Sequence, residues 1–161
     1  LRLFTIVDST GGGNNEFTSW VADNGLASRP SADQAMEADP DKDGRANLLE
    51  YALGGNPLSE KDERLQETVA DSSKASVTFV RIKESVDNAM SYKVQLCPDL
   101  NSTWQDGVVK MEGAADGIDQ TELPDGKVGL FSRFERIRAT FTQDPSTPLK
   151  KAFLRIVVSR E

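Results

Sequence analysis

The stretch Arg133-Phe134-Glu135-Arg136-Ile137-Arg138-Ala139-Thr140-Phe141 decides the fold class. Side chains of an extended chain point alternately to two faces. Here Ile137, Ala139 and Phe141 fall on one face, and Arg136, Arg138 and Thr140 on the other. One apolar and one wet face describes a half-buried strand of an antiparallel sheet. Outward from this strand the period-2 pattern recurs at 76–82, 91–97, 107–111, 118–123 and 152–159. Between these runs lie Asp87-Asn88, Pro98-Asp99, Asp116-Gly117, Pro124-Asp125-Gly126 and Asp144-Pro145, residue types that build turns. Several short strands at this spacing predict an antiparallel β-sandwich over 61–161.

Upstream the period changes. Phe17, Trp20 and Val21 stand at i, i+3, i+4, which places them on one stripe of a helix ended by Asn24-Gly25. Trp20 is therefore a core residue, packed toward the helix that carries Tyr51. Short helices are expected at 31–37 behind Ser31 and at 48–53, the second ended by Gly54-Gly55 and Pro57. The charged, breaker-rich run 59–73 reads as a linker or polar excursion. At the start, 1–8 has strand character and Gly11-Gly12-Gly13 forms a joint. The expected organisation is an incoming strand and joint over 1–14, a helical unit over 15–60 and the sandwich over 61–161. The short opening run and the lack of an initial Met read as a piece of a longer chain.

Composition narrows the chemistry. The 161 residues include no histidine, so Ser-His-Asp and Cys-His hydrolysis and His-ligated zinc have no imidazole to use. Lys and Arg number 19 against 26 Asp and Glu, a net charge of −7 without a basic cluster, which predicts no nucleic-acid partner. No apolar run approaches the ~20 residues of a membrane-spanning helix, so no membrane span is expected. Cys97 is the single cysteine, and no intramolecular disulfide can form. Carboxylate chemistry, hard-cation binding or a non-catalytic role remain.

One motif is specific. Asp39-Pro40-Asp41-Lys42-Asp43-Gly44-Arg45-Ala46-Asn47-Leu48-Leu49-Glu50 fits the twelve-residue calcium loop position for position. Asp39, Asp41 and Asp43 take positions 1, 3 and 5, and Gly44 makes the turn at 6. Arg45 offers its backbone carbonyl at 7, Asn47 stands at 9, and Glu50 closes the set bidentately at 12. Oxygen-only ligands suit Ca²⁺. Position 8 is Ala46, where paired hands carry a branched apolar residue, and no second loop is present, so the loop is expected to brace structure. The predicted unit is an EF-hand-like helix-loop-helix.

These residues, with Phe17-Thr18-Ser19-Trp20-Val21-Ala22-Asp23-Asn24-Gly25-Leu26 before them, resemble the helix and Asp-rich loop near the C-terminus of large secreted bacterial proteins. Tyr92-Lys93-Val94-Gln95-Leu96-Cys97, Trp104 and Ala152-Phe153-Leu154-Arg155-Ile156-Val157-Val158 resemble the β-module that ends such chains. The resemblance covers 16–161. It implies a secreted or cell-surface location and a non-catalytic accessory role beside a polysaccharide-degrading or laminin-G-like domain. The loop also resembles one half of a dockerin repeat, which would need a duplicate that this chain lacks.

Trp104 follows Asn101-Ser102-Thr103 in a polar turn and reads either as a core plug or as an exposed ring that stacks on a sugar. Arg133, Arg136 and Arg138 make a basic face that either binds acidic glycans or pairs with its own carboxylates. Asp116 and Asp119 are weighed as a second cation site, and the remaining loop carboxylates select no catalytic pair. The expected function is a Ca²⁺-stabilised accessory module that binds carbohydrate through Trp104. The alternative is a structural, interaction or sorting module that caps a neighbouring domain.

Overall fold

A computed structural model describes residues 3–7, 15–60, 67–70, 74–97, 102–106, 109–121, 133–142 and 153–160. The expected turns at Pro98-Asp99, Pro124-Asp125-Gly126 and Asp144-Pro145, the glycine joint and Asn101 lie outside these residues. The strands are β1 (Leu3–Val7), β2 (Glu67–Ala70), β3 (Lys74–Ile82), β4 (Met90–Cys97), β5 (Gln105–Asp106), β6 (Val109–Glu112), β7 (Phe134–Thr142) and β8 (Phe153–Arg160). The helices are α1 (Asn15–Asp23) and α2 (Asn47–Leu53).

The strands form two four-stranded sheets, ordered β1-β8-β4-β5 and β2-β3-β7-β6. Pairing is antiparallel except where β1 lies parallel to β8 and brings the two ends of the chain onto one sheet. The alternation of β7 fixes its register: Ile137 lies opposite Phe79, Ala139 opposite Val77 and Phe141 opposite Ala75. On the other sheet Val94 lies opposite Ile156, and Tyr92 opposite Val158. The inward residues of both sheets belong to one buried apolar cluster, so the sheets face each other across a shared core.

Helix α2 has two buried faces. Leu49 and Ala52 join the core between the sheets, while Leu48 and Tyr51 join Phe17, Trp20, Val21, Leu26 and Ile82 in a second cluster. Phe17 and Trp20 stack at 5.5 Å, and Tyr51 meets both rings edge-on at 5.3 and 5.7 Å. Trp20 is thus the core residue that its stripe implies. Polar ties fasten this unit to the sheets. The Tyr51 hydroxyl donates to Asp87 Oδ2 at 2.8 Å, and Arg160 Nε lies 3.5 Å from the same oxygen. Tyr92 donates to the Ala52 carbonyl at 2.8 Å and accepts from the Ile82 amide at 3.1 Å.

Three expected elements differ. Residues 118–121 carry no strand. Instead the Gln120 amide occupies the next place along β7 after the Glu112–Arg138 pair. It donates to the Arg136 carbonyl at 2.7 Å and accepts from the Arg136 amide at 2.8 Å. The run 59–73 contains β2, which pairs with β3 as an edge strand. The helix expected at 31–37 is a 3₁₀ turn over Ser31–Gln34 followed by extended chain at Ala35. Asp33 and Gln34 contact Arg29 instead of continuing the helix, through Arg29 Nε to Asp33 Oδ2 and Gln34 Nε2 to the Arg29 carbonyl.

Candidate metal centre

The Asp-rich loop runs from the extended chain after the 3₁₀ turn into α2, and its two ends are clamped together. The Asn47 amide donates to the Ala38 carbonyl at 2.7 Å, and Leu48 to Met36 at 2.8 Å. The Asn47 side chain reaches further back, donating to the carbonyls of Asp33 at 2.8 Å and Ala35 at 2.7 Å. The entering helix of the expected helix-loop-helix is absent here, where a 3₁₀ turn over Ser31–Gln34 and extended chain at Ala35 precede the loop. The exit side keeps the expected form, because α2 begins at Asn47, the ninth loop position.

Within the loop each aspartate organises backbone. Asp39 accepts from the amides of Lys42 at 2.9 Å and Gly44 at 3.0 Å, Asp41 from Asp43 at 3.2 Å, and Asp43 from Arg45 at 2.8 Å. Two residues take left-handed conformations, Gly44 at φ 90° and Lys42 at φ 64°. A side chain at Gly44 would find open space, so φ alone selects glycine there. Lys42 bears a cost of ~1–2 kcal/mol for the same region, offset by its bond to Asp39.

Oxygens of Asp39, Asp41 and Asp43 lie within 4.8 Å of one another, the one such acidic group among the described residues. Unit charges at that separation repel by roughly 1–3 kcal/mol per pair between the bulk-water and protein-surface limits. Burial first, then the neighbouring charges of Asp43 and Asp39, hold the Asp41 carboxyl above the usual carboxylate range. Its Oδ2 is buried without a hydrogen-bond partner in the described structure. Asn47, the next expected ligand, is fully buried, and its Oδ1 likewise has no hydrogen-bond partner there.

Glu50, the twelfth position, is 2% exposed. Gly55 fixes its place: a Cβ there would lie 2.6 Å from Glu50 Cβ and 2.8 Å from its Cδ, so the carboxylate keeps its position only while residue 55 has no side chain. An open cleft of about 590 Å³ reaches the loop between Arg29, Asp41, Lys42 and Leu58 and gives solvent a route to Asp41. The donor set suits a hard cation: oxygen atoms only, two of them, Asp41 Oδ2 and Asn47 Oδ1, buried without a hydrogen-bond partner.

One contact was not legible from spacing. The Arg45 side chain, about which the expected carbonyl role says nothing, lies on Asp43. Its Nε donates to Asp43 Oδ2 at 2.8 Å, its Nη2 pairs with the same oxygen, and Nε is 3.8 Å from Glu50 Oε1. The loop rule assigns position 7 by its backbone and leaves the side chain unspecified.

The other expected site residues lie elsewhere. Trp104 is half-buried just before β5, with the Arg155 guanidinium 4.4 Å from its ring centroid. Arg155 Nε donates to Gln95 Oε1 at 2.6 Å, and Gln95 Nε2 donates to Asp106 at 2.6 Å. Asp116 and Asp119 serve local turns, the first accepting from the Gly113 amide and the second from Thr121. The Thr121 bonds hold the Asp119 carboxyl below the usual range. The basic face is internally engaged: Arg136 donates to the Asp119 carbonyl, Arg138 to Thr78 and Arg133 to Ser19, while Glu135 pairs with Arg81 at 2.8 Å. No helix among the described residues is long and apolar enough to cross a membrane.

Compared with known proteins, the chain matches no family model, no curated protein and no solved structure.

Proposed function

We propose that this chain is a non-catalytic accessory module of a secreted bacterial protein, with one Ca²⁺ bracing the 39–50 loop. The observation that carries the reading is the pair of buried, partner-short oxygens, Asp41 Oδ2 and Asn47 Oδ1, at the third and ninth positions of a loop whose three aspartates converge. A buried polar atom without a partner costs ~1–3 kcal/mol, and a bound cation would remove that cost at both atoms together. Asp39, Asp41, Asp43, Asn47, Glu50 and the Arg45 carbonyl would hold the ion, which supplies charge balance and fixes the start of α2. Support for a non-catalytic role comes from carboxylates already committed to turns and pairs, such as Asp106 with Gln95 and Asp119 with Thr121. The sequence resemblance supports secretion.

The test is thermal unfolding in millimolar Ca²⁺ and in EDTA. At free Ca²⁺ of 100 times Kd the gain is ~2.7 kcal/mol, or roughly 5–10 °C for a domain of this size. Superimposable melts would remove the assignment.

A second reading, carbohydrate binding on the face around Trp104, is favoured by the planar polar groups of Arg155, Gln95 and Asp106 beside a half-buried indole. Affinity electrophoresis on algal and plant polysaccharides checks it. Retardation of the parent chain and not of a folded Trp104→Ala variant is expected. Equal mobility of both on every polysaccharide leaves the structural alternative, a cap or spacer for a neighbouring domain.

A further inference from the structure

We infer that the Arg45 side chain is an internal counter-cation of the loop, holding Asp43 and Glu50 while no ion is bound and competing with Ca²⁺ for them. The inference rests on the calcium reading above and concerns how that site is regulated. Three observations carry it. The guanidinium bonds Asp43 Oδ2 through Nε and Nη2 and places Nε 3.8 Å from Glu50 Oε1, so it stands between the carboxylates of the fifth and twelfth positions. Those carboxylates are nearly closed to water, with side-chain exposures of 7% for Asp43 and 1% for Glu50. The Arg45 side chain itself is 23% exposed, which leaves it a path outward.

The two cations exclude each other. Ca²⁺ sits ~2.3–2.6 Å from each ligand oxygen, so an ion shared by Asp43 and Glu50 would fall within a few ångströms of a guanidinium already bonded to one of them. Like charges at that distance in a partly desolvated loop repel strongly. Arg45 must therefore swing out as the ion enters, while its backbone carbonyl, fixed by the turn at Gly44, stays available as a ligand. The apparent affinity is then the intrinsic one reduced by the fraction of loops in which the guanidinium has left. A partly buried, doubly bonded ion pair that keeps the loop closed about nine times in ten corresponds to roughly a tenfold loss of affinity. The same contact protects the ion-free protein, because without it two buried carboxylates lose a counter-charge.

The test compares the parent chain with Arg45→Gln, Arg45→Lys and Lys42→Gln. Calcium affinity is measured by isothermal titration calorimetry, and melting temperature both in EDTA and in saturating Ca²⁺. Lys42 is exposed and lies in the same loop, so its variant reports long-range charge alone. Arg45→Gln is expected to raise calcium affinity roughly three- to tenfold and to lower the melting temperature in EDTA by several degrees, with little change in saturating Ca²⁺. Lys42→Gln is expected to change affinity less than twofold and neither melt. Equal affinity gains in Arg45→Gln and Lys42→Gln, or an unchanged EDTA melt for Arg45→Gln, would overturn the inference. If no variant binds Ca²⁺, the calcium reading falls by itself. A lowered EDTA melt confined to Arg45→Gln then still supports the counter-cation, and its absence overturns that too. Should Arg45→Gln be unfolded under both conditions, Arg45→Lys, which keeps the charge and loses the fork, is expected to show the same two changes at smaller size. Parent-like affinity and EDTA melt in that variant would overturn the inference.

Discussion

The core between the two sheets and the loop that feeds α2 are held by different physics, although α2 belongs to both. Between the sheets the buried apolar cluster is made of Val, Ile, Phe, Ala and Leu, most of them on strands paired in register and two, Leu49 and Ala52, on α2. In the loop region the buried set includes Asn47 and Glu50, beside three converging aspartates. The first region is stable by removing apolar surface from water. The second contains desolvated oxygens, and two of its carboxylates lie against Arg45; under the proposed function Ca²⁺ takes the place of that guanidinium when the ion is bound. One small helix thus joins an apolar core to a polar loop, since Leu49 and Ala52 face the first while Asn47 and Glu50 are buried in the second, and under the proposed function only the second depends on an ion.

The sharpest way to break this contrast is to damage the sheet core and look for an effect of ions. Phe79 is 1% exposed, lies opposite Ile137 and packs near Tyr92. Phe79→Ala is expected to cost about 3–5 kcal/mol in urea unfolding, by the same amount with Ca²⁺ or EDTA. A loss that depended on the ion would dissolve the distinction. The reciprocal experiment is Glu50→Gln, which removes the closing ligand of the proposed site. It should abolish the ~2.7 kcal/mol gain seen at 100 times Kd while leaving the sheet's β-type circular dichroism intact. A variant still stabilised by Ca²⁺ would show that Glu50 is no ligand.

The boundary between the regions is sharpened by alkali. Burial first, then the bond to Asp87, holds Tyr51 far above the ordinary tyrosine value of 10.0, and burial does the same to Tyr92. The unfolded chain ionises both from about pH 10 while the folded chain keeps them neutral, so their contribution is complete below pH 10 and is lost as pH rises beyond it. Tyrosinate absorbance should therefore appear only as the protein unfolds, and titration of both rings in a folded chain near pH 10 would contradict the burial. Tyr51→Phe should cost ~1–3 kcal/mol, because Asp87 loses a donor in a buried place. The smallest expected effect is that of Gln120→Ala, ~1 kcal/mol, without dependence on ions, read from the urea midpoint.

Sequence reading reached the sheet core because alternation is a local signal: β3, β4, β7 and β8 each repeat every second residue. It passed over β2, where Glu67-Thr68-Val69-Ala70 sits inside a charged run and gains its strand form from pairing with β3. It assigned a strand at 118–123, and in the described part, 118–121, a single side chain, Gln120, supplies the pairing. The convergence of Asp39, Asp41 and Asp43 was legible because the spacing of the loop is a geometric constraint on backbone turns. The clamp through Asn47 and the place of the Arg45 side chain were not, since neither is set by neighbours in sequence. The Tyr51–Asp87–Arg160 tie joins residues far apart along the chain and leaves no local trace.

Isothermal titration of Ca²⁺ into the EDTA-stripped, dialysed protein tests the brace most directly. One saturable site per chain is expected, lost in Asp41→Asn and in Glu50→Gln, with a melting temperature that rises as the site fills. Absence of binding heat at several temperatures, with a melt that ignores the ion, would contradict it.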